Sequence, residues 1–119
     1  MSNYIPTADM IYDGASSADS VSFQLPGHSR TTPHFAIFDR KVPTARSTMA
    51  EYRIRVIQGF LDEKSARIDN RAVLECTNRI PLDGVGVAEA VKANIGRLAK
   101  MLADPAMVDQ MVTSLILPR

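Results

Sequence analysis

The residues Glu51-Tyr-Arg-Ile-Arg-Val-Ile-Gln58 limit what this chain can become more than any other stretch. Side chains along a strand alternate between faces, so Tyr52, Ile54 and Val56 point one way while Arg53 and Arg55 point the other. A sheet built on such a strand has an apolar face to cover and a cationic face to present. The first needs helices or a second chain. The second suits a polyanion, because guanidinium groups offer planar, paired donors to phosphate and keep their charge.

The neighbouring sequence supplies the rest of that sheet. Val21, Phe23 and Leu25 alternate with Ser20, Ser22 and Gln24, a period of two that Pro26-Gly27 ends. The apolar run Ala8 to Tyr12 precedes it, and Asp13-Gly14 between the runs reads as the start of the loop of an N-terminal β-hairpin. Pro33 restarts the chain, and His34 to Val42 reads as a third strand stopped by Pro43. Thr48 to Leu61 is a long fourth strand in which Gly59 marks a bulge or bend, and a fifth runs from about Ile68 to Ile80.

Beyond Gly86 the period changes from two to 3.6. Val87, Val91, Ile95, Leu98 and Leu102 fall on one face of a helix. Asp104-Pro105 suits the N-cap and first turn of a second helix, with Val108, Met111, Val112 and Leu115 on its apolar face. The fold class expected is therefore α+β: an N-terminal hairpin, an antiparallel sheet of about five strands, then two C-terminal helices. Two helices are a small cover for five strands. A second copy of the chain is the natural complement, because large uncovered apolar patches mark interfaces.

Composition narrows the function classes. With 119 residues, 45% hydrophobic and 23% charged, the chain is expected to be a single folded domain. A net charge of +1 does not itself mark a nucleic-acid binder, but the charge is unevenly placed. From Arg40 to Arg55 five basic residues (Arg40, Lys41, Arg46, Arg53, Arg55) face one acid, Glu51. The lone Cys76 excludes an internal disulfide and reads as a buried structural thiol. No apolar run reaches the roughly 18 residues of a membrane span, and the start lacks a basic stretch followed by an apolar one.

Enzyme signals are weak. His28 and His34 lack metal-site spacing, no serine sits in a nucleophile-elbow context, and no carboxylate pair or cofactor motif stands out. Gly84-Val-Gly86 reads as a strand-to-helix turn, not a phosphate loop. No catalytic residue, metal, cofactor or small-molecule substrate is expected. The candidate site is the arginine face: Arg40, Arg53, Arg55, Arg71 and Arg79, with Glu75 and Thr77 beside them on the fifth strand. Thr77 is placed to reach a sugar or base edge, and Phe38 or His34 to stack on an unpaired base. The competing reading is a solvated face on which these arginines pair with Asp39, Glu51 or Glu75.

The layout resembles the coat proteins of single-stranded RNA phages of the levivirus type, over essentially the whole chain. The matching features are the Tyr52-Arg-Ile-Arg-Val56 strand and the strand exit Asn78-Arg79-Ile80-Pro81. They also include the helix from Val87 to Leu102, the Asp104-Pro105 break and the ending from Leu115 to Pro118. The resemblance implies one coat-protein domain over 1–119, with a hairpin in 1–27, the main strands in 33–81 and two helices in 86–117. It implies an interlocked homodimer in which each sheet is covered by the partner's helices, so that Val87, Val91, Ile95, Leu98, Leu102, Val108, Met111 and Leu115 form core and dimer interface.

It further implies assembly into an icosahedral capsid in the host bacterial cytoplasm, with single-stranded genomic RNA, including an operator hairpin, on the interior sheet face. The loop Leu61 to Ile68 would gather at symmetry axes, without the cysteine that staples such loops in some relatives. Arg53 and Arg55 replace the smaller polar residue and lysine of known hairpin binders, which favours general phosphate binding. Two other readings compete: a dimeric α+β RNA-binding or regulatory protein that forms no shell, and a small enzyme or ligand-binding module with a pocket under the helices.

Overall fold

The computed structural model describes residues 6–46, 48–60 and 70–118. In chain order these form β1 (Ile11–Ser17), β2 (Ser20–Gln24), β3 (His34–Lys41), β4 (Met49–Phe60), β5 (Asn70–Pro81), α1 (Val87–Leu102) and α2 (Pro105–Thr113). The strands make one five-stranded sheet in sequence order, β1-β2-β3-β4-β5. The first three junctions are antiparallel. This is the α+β class expected. The loop Leu61 to Ile68 lies outside the described residues.

The chain divides into two compact units after Arg79. In the first, the small core sits on the sheet. Phe23 is 3% exposed and stands opposite Ala36, itself buried, so the ring occupies the space that a larger neighbour would fill. Tyr12 and Phe38 meet Phe23 edge-on, with centroids 5.7 and 5.6 Å away, the geometry that aromatic quadrupoles favour. Ala50 and Ile57 complete the buried hydrophobic set among the described residues. Cys76, expected to be buried, is half-buried, and Leu74 on the same face of β5 is exposed.

Two turns show how local chemistry sets the strands. Leu25-Pro26-Gly27-His28 is closed by the His28 N–H donating to the Leu25 carbonyl, with Gly27 at φ 85°. Proline then glycine at the centre, the second with positive φ, is the type II requirement. The hairpin turn, by contrast, is not at Asp13-Gly14. Ser17 pairs with Ser20, so Ala18-Asp19 form a tight turn and Asp13 to Ser17 belong to β1. Gly14, at φ 133°, lies at a register shift within the ladder, where its freedom from a Cβ serves a bulge and not a loop. Gly59 is neither bulge nor bend: it is a strand residue whose N–H donates to the Pro33 carbonyl at 2.8 Å.

In the second unit, α1 starts and stops where the periodicity puts it. Its N-cap is Gly86 in the left-handed region, without a side-chain cap. Asp104 caps α2, accepting from the Ala106 and Met107 backbone N–H groups, and Pro105 fills the first turn where no N–H is needed. Helix α2 ends earlier than expected. Leu115 lies beyond it at φ 57°, and the Ile116 N–H returns to the Gln110 carbonyl, so Leu115 is no part of the helix face. No residue of α1 or α2 is buried. Val87, Val91, Leu98 and Val108 are half-buried, whereas Ile95, Leu102 and Met111 are exposed. The helix stripe is thus not a core within one chain.

Candidate nucleic-acid interface

The pairing register decides which side chains share a face. Ser20 stands opposite Asp39, and Asp39 opposite Arg53; Ile37 stands opposite Arg55 and Phe35 opposite Ile57. The cationic face of β4 therefore continues into β3 as Phe35, Ile37, Asp39 and Lys41. Arg40 pairs with Tyr52 on the opposite face, alongside Phe38 and Ala36. By register, and contrary to expectation, Arg40 lies on the other face of the sheet from Arg53 and Arg55, although at the strand end it lines one cleft with Lys41, Glu51 and Arg53. Its guanidinium instead reaches the hairpin turn, where Nε donates to Asp19 Oδ1 at 2.9 Å. Phe38 and His34 fall on the Arg40 face as well, and the His34 ring Nδ1 lies 2.8 Å from the Pro26 carbonyl.

Asp39 is the hub of the face. Its Oδ2 accepts from Arg55 Nη2 at 2.9 Å and Arg53 Nη2 at 3.2 Å, and its Oδ1 accepts from Ser20 Oγ at 2.6 Å. The serine hydroxyl and the two guanidiniums outweigh partial burial and hold the Asp39 carboxyl below its usual range. Arg55 is the more sheltered arginine. Its Nε is out of contact with solvent and has no hydrogen-bond partner among the described residues.

Strand β5 adds looser contacts. Glu75 Oε1 lies 3.7 Å from Arg53 Nε and accepts from Thr77 Oγ1 at 3.4 Å. Arg79 Nε lies 3.7 Å from Glu51 Oε2. These two ion pairs set Glu75 and Arg79 beside the cationic face of β4. Arg71 is exposed and makes no ion pair with a described residue. The result is a mixed lattice in which Lys41, Arg53, Arg55, Arg71 and Arg79 outnumber Asp13, Asp39, Glu51 and Glu75 by one among the described residues. The solvated-face reading was right about the pairing; the excess of cations survives it.

Next to Arg55 the face opens into a shallow cleft of about 390 Å³ lined by Asp13, Ser20, Ser22, His28, Phe35 and Ile37. His28 and Phe35 meet edge-on there, with centroids 6.3 Å apart. These two rings, and not Phe38 or His34, are the aromatic groups beside the arginines. The alternation of β3 contained both possibilities, and its pairing with β2 and β4 separates them. Among the described residues no group of three or more His, Cys, Asp and Glu side chains could hold a metal ion. No described helix is long and apolar enough to cross a membrane.

No protein-family profile matches the chain, and no curated protein matches its sequence. Solved structures do match its fold. The virus-like particle of Wenzhou levi-like virus 4 aligns with a TM-score of 0.72 and 18% identity, over 98% of this chain and 83% of that one. That of Beihai levi-like virus 32 aligns with a TM-score of 0.65 and 20% identity, over 92% and 87%. That of bacteriophage ESE020 gives a TM-score of 0.68 and 19% identity, over 91% and 84%. A sheet in strict sequence order followed by two helices, matched nearly end to end in three particle-forming proteins, gives this chain the levivirus-type coat-protein fold.

Proposed function

We propose that this chain is the coat protein of a single-stranded RNA phage. It pairs as a homodimer, assembles into an icosahedral shell in the host cytoplasm, and holds genomic RNA on the sheet face carrying Arg53 and Arg55. The observation that carries the reading is the near-complete correspondence of fold with proteins of levi-like virus and phage particles.

Two features of the chain support it. Apolar side chains are left open on both units: Tyr52 and Ile54 on the sheet, and Ile95, Leu102 and Leu115 to Leu117 beyond it. Covering a side chain of that size is worth about 1.5–3 kcal/mol, so a second copy has much to gain by burying them. The opposite face of the sheet keeps a small surplus of basic over acidic side chains, which is what backbone-directed RNA binding requires.

Electron microscopy of the protein expressed alone, with the ultraviolet absorbance of the same fraction, tests the reading. Uniform shells with a nucleic-acid-like spectrum are expected. Small dimers free of nucleic acid would overturn it in favour of a regulatory protein that forms no shell. The RNA face is tested separately by the double change Arg53→Ala, Arg55→Ala. Losing two phosphate contacts lowers the log–log salt slope of single-strand binding by about 1.4, at about 0.7 per contact. An unchanged slope would reject the face.

A further inference from the structure

We propose that Asp39 is a built-in counter-anion that competes with RNA phosphate for Arg53 and Arg55, and so sets how tightly the sheet face holds RNA. The inference rests on the RNA-binding reading above and concerns its regulation. The geometry is that of an occupied anion site. One carboxylate oxygen takes a donor from each guanidinium, at 3.2 and 2.9 Å, and the other is anchored by Ser20 Oγ at 2.6 Å. Strands β2, β3 and β4 place these groups in line, Ser20 opposite Asp39 and Asp39 opposite Arg53, so the carboxylate is held by the ladder and not by a mobile loop.

Each arginine spends a single Nη2 donor on the shared oxygen, not the two parallel donors of a forked pair. Guanidinium donors other than these therefore remain for a phosphate, apart from Arg55 Nε, which is out of contact with solvent, and Arg53 Nε, which faces Glu75. What Asp39 removes is net charge: two cations and one anion leave a single positive charge where phosphate must bind. The other carboxylates of the face are weaker competitors, because Glu75 and Glu51 stand 3.7 Å from their arginines. The Asp39 side chain is 21% exposed against 45% for Glu75, so water screens its charge less.

The test is binding of a labelled oligouridylate to protein stripped of nucleic acid, across a salt series, for wild type, Asp39→Asn and the Arg53→Ala, Arg55→Ala pair. Asparagine keeps the shape and the acceptor oxygen while removing the charge. It is expected to tighten binding on the order of ten-fold at low salt and to steepen the salt slope by about 0.7, the value of one added phosphate contact. The gain should be the same for an oligomer of another sequence, because a phosphate effect is blind to bases. Asp39→Asn that binds no tighter than wild type, while the arginine pair still weakens binding, overturns the inference and leaves the RNA face standing. Unchanged binding in the arginine pair rejects the face itself. Should Asp39→Asn fail to fold, Ser20→Ala releases the carboxylate anchor instead. It is expected to give a two- to three-fold gain of the same sign, roughly the effect of a weakened single contact; no gain there overturns the inference equally.

Discussion

Replacing Phe23 by alanine tests whether the sheet's core is where the structure puts it. The ring is 3% exposed, lies edge-on to both Tyr12 and Phe38, and stands over the buried Ala36. Truncation removes the largest buried side chain among the described residues of the first unit and leaves a cavity that rigid strands on both sides cannot close. Losses of this kind cost about 3–5 kcal/mol, of which each aromatic pair supplies roughly 0.5–1.5. With a urea dependence of about 2 kcal/mol per molar, a loss near 4 lowers the unfolding midpoint by about 2 M. Far-UV circular dichroism during urea titration reads this directly, and Phe23→Leu, which retains most of the volume, should lose only about 1 kcal/mol. A midpoint shift below about 0.5 M at unchanged slope would show that Phe23 is not a core residue and that the placement of the apolar face is wrong.

Two other predictions concern acid and a helix cap. Because Ser20, Arg55 and Arg53 depress the Asp39 pKa, its charge stabilises the fold above the unfolded value of about 3.9, and that contribution fades as pH falls through the lower folded value. The stability gap between wild type and Asp39→Ala, about 1–2 kcal/mol at neutral pH for these part-exposed charged bonds, should thus stay constant above about pH 5 and close only in stronger acid, as urea titrations at each pH will read; a gap that closes near neutrality contradicts the assignment. Asp104→Ala removes the acceptor for the Ala106 and Met107 N–H groups and should cost about 1 kcal/mol, seen as faster hydrogen exchange confined to α2.

How far the sequence reveals this structure depends on whether a segment carries one pattern or two. Tyr52, Ile54 and Val56 against Arg53 and Arg55 allow a single assignment of faces, and Val87 to Leu102 a single helix; both are observed. Asp104 was equally legible, because its cap is a local event. Strand β3 is different. Phe35, Ile37 and Asp39 on one face balance Ala36, Phe38 and Arg40 on the other, so hydrophobic periodicity alone cannot choose, and a slip of one residue exchanges the two sets. The choice is made by neighbours distant in sequence. Val21 meets Phe38 and Ser20 meets Asp39 on one side, while Ile54 meets Phe38 and Arg53 meets Asp39 on the other. The slipped register, which would gather Arg40 with Arg53 and Arg55, sets like charges opposite one another and removes the carboxylate between them, a destabilising arrangement on a pleated sheet. The face best suited at first sight to phosphate, three arginines with no aspartate between them, is therefore one that the folded sheet disfavours. An RNA-binding surface on this strand pair comes with Asp39 in its middle because the same register that sets Phe38 against Phe23 also places that carboxylate between the guanidiniums.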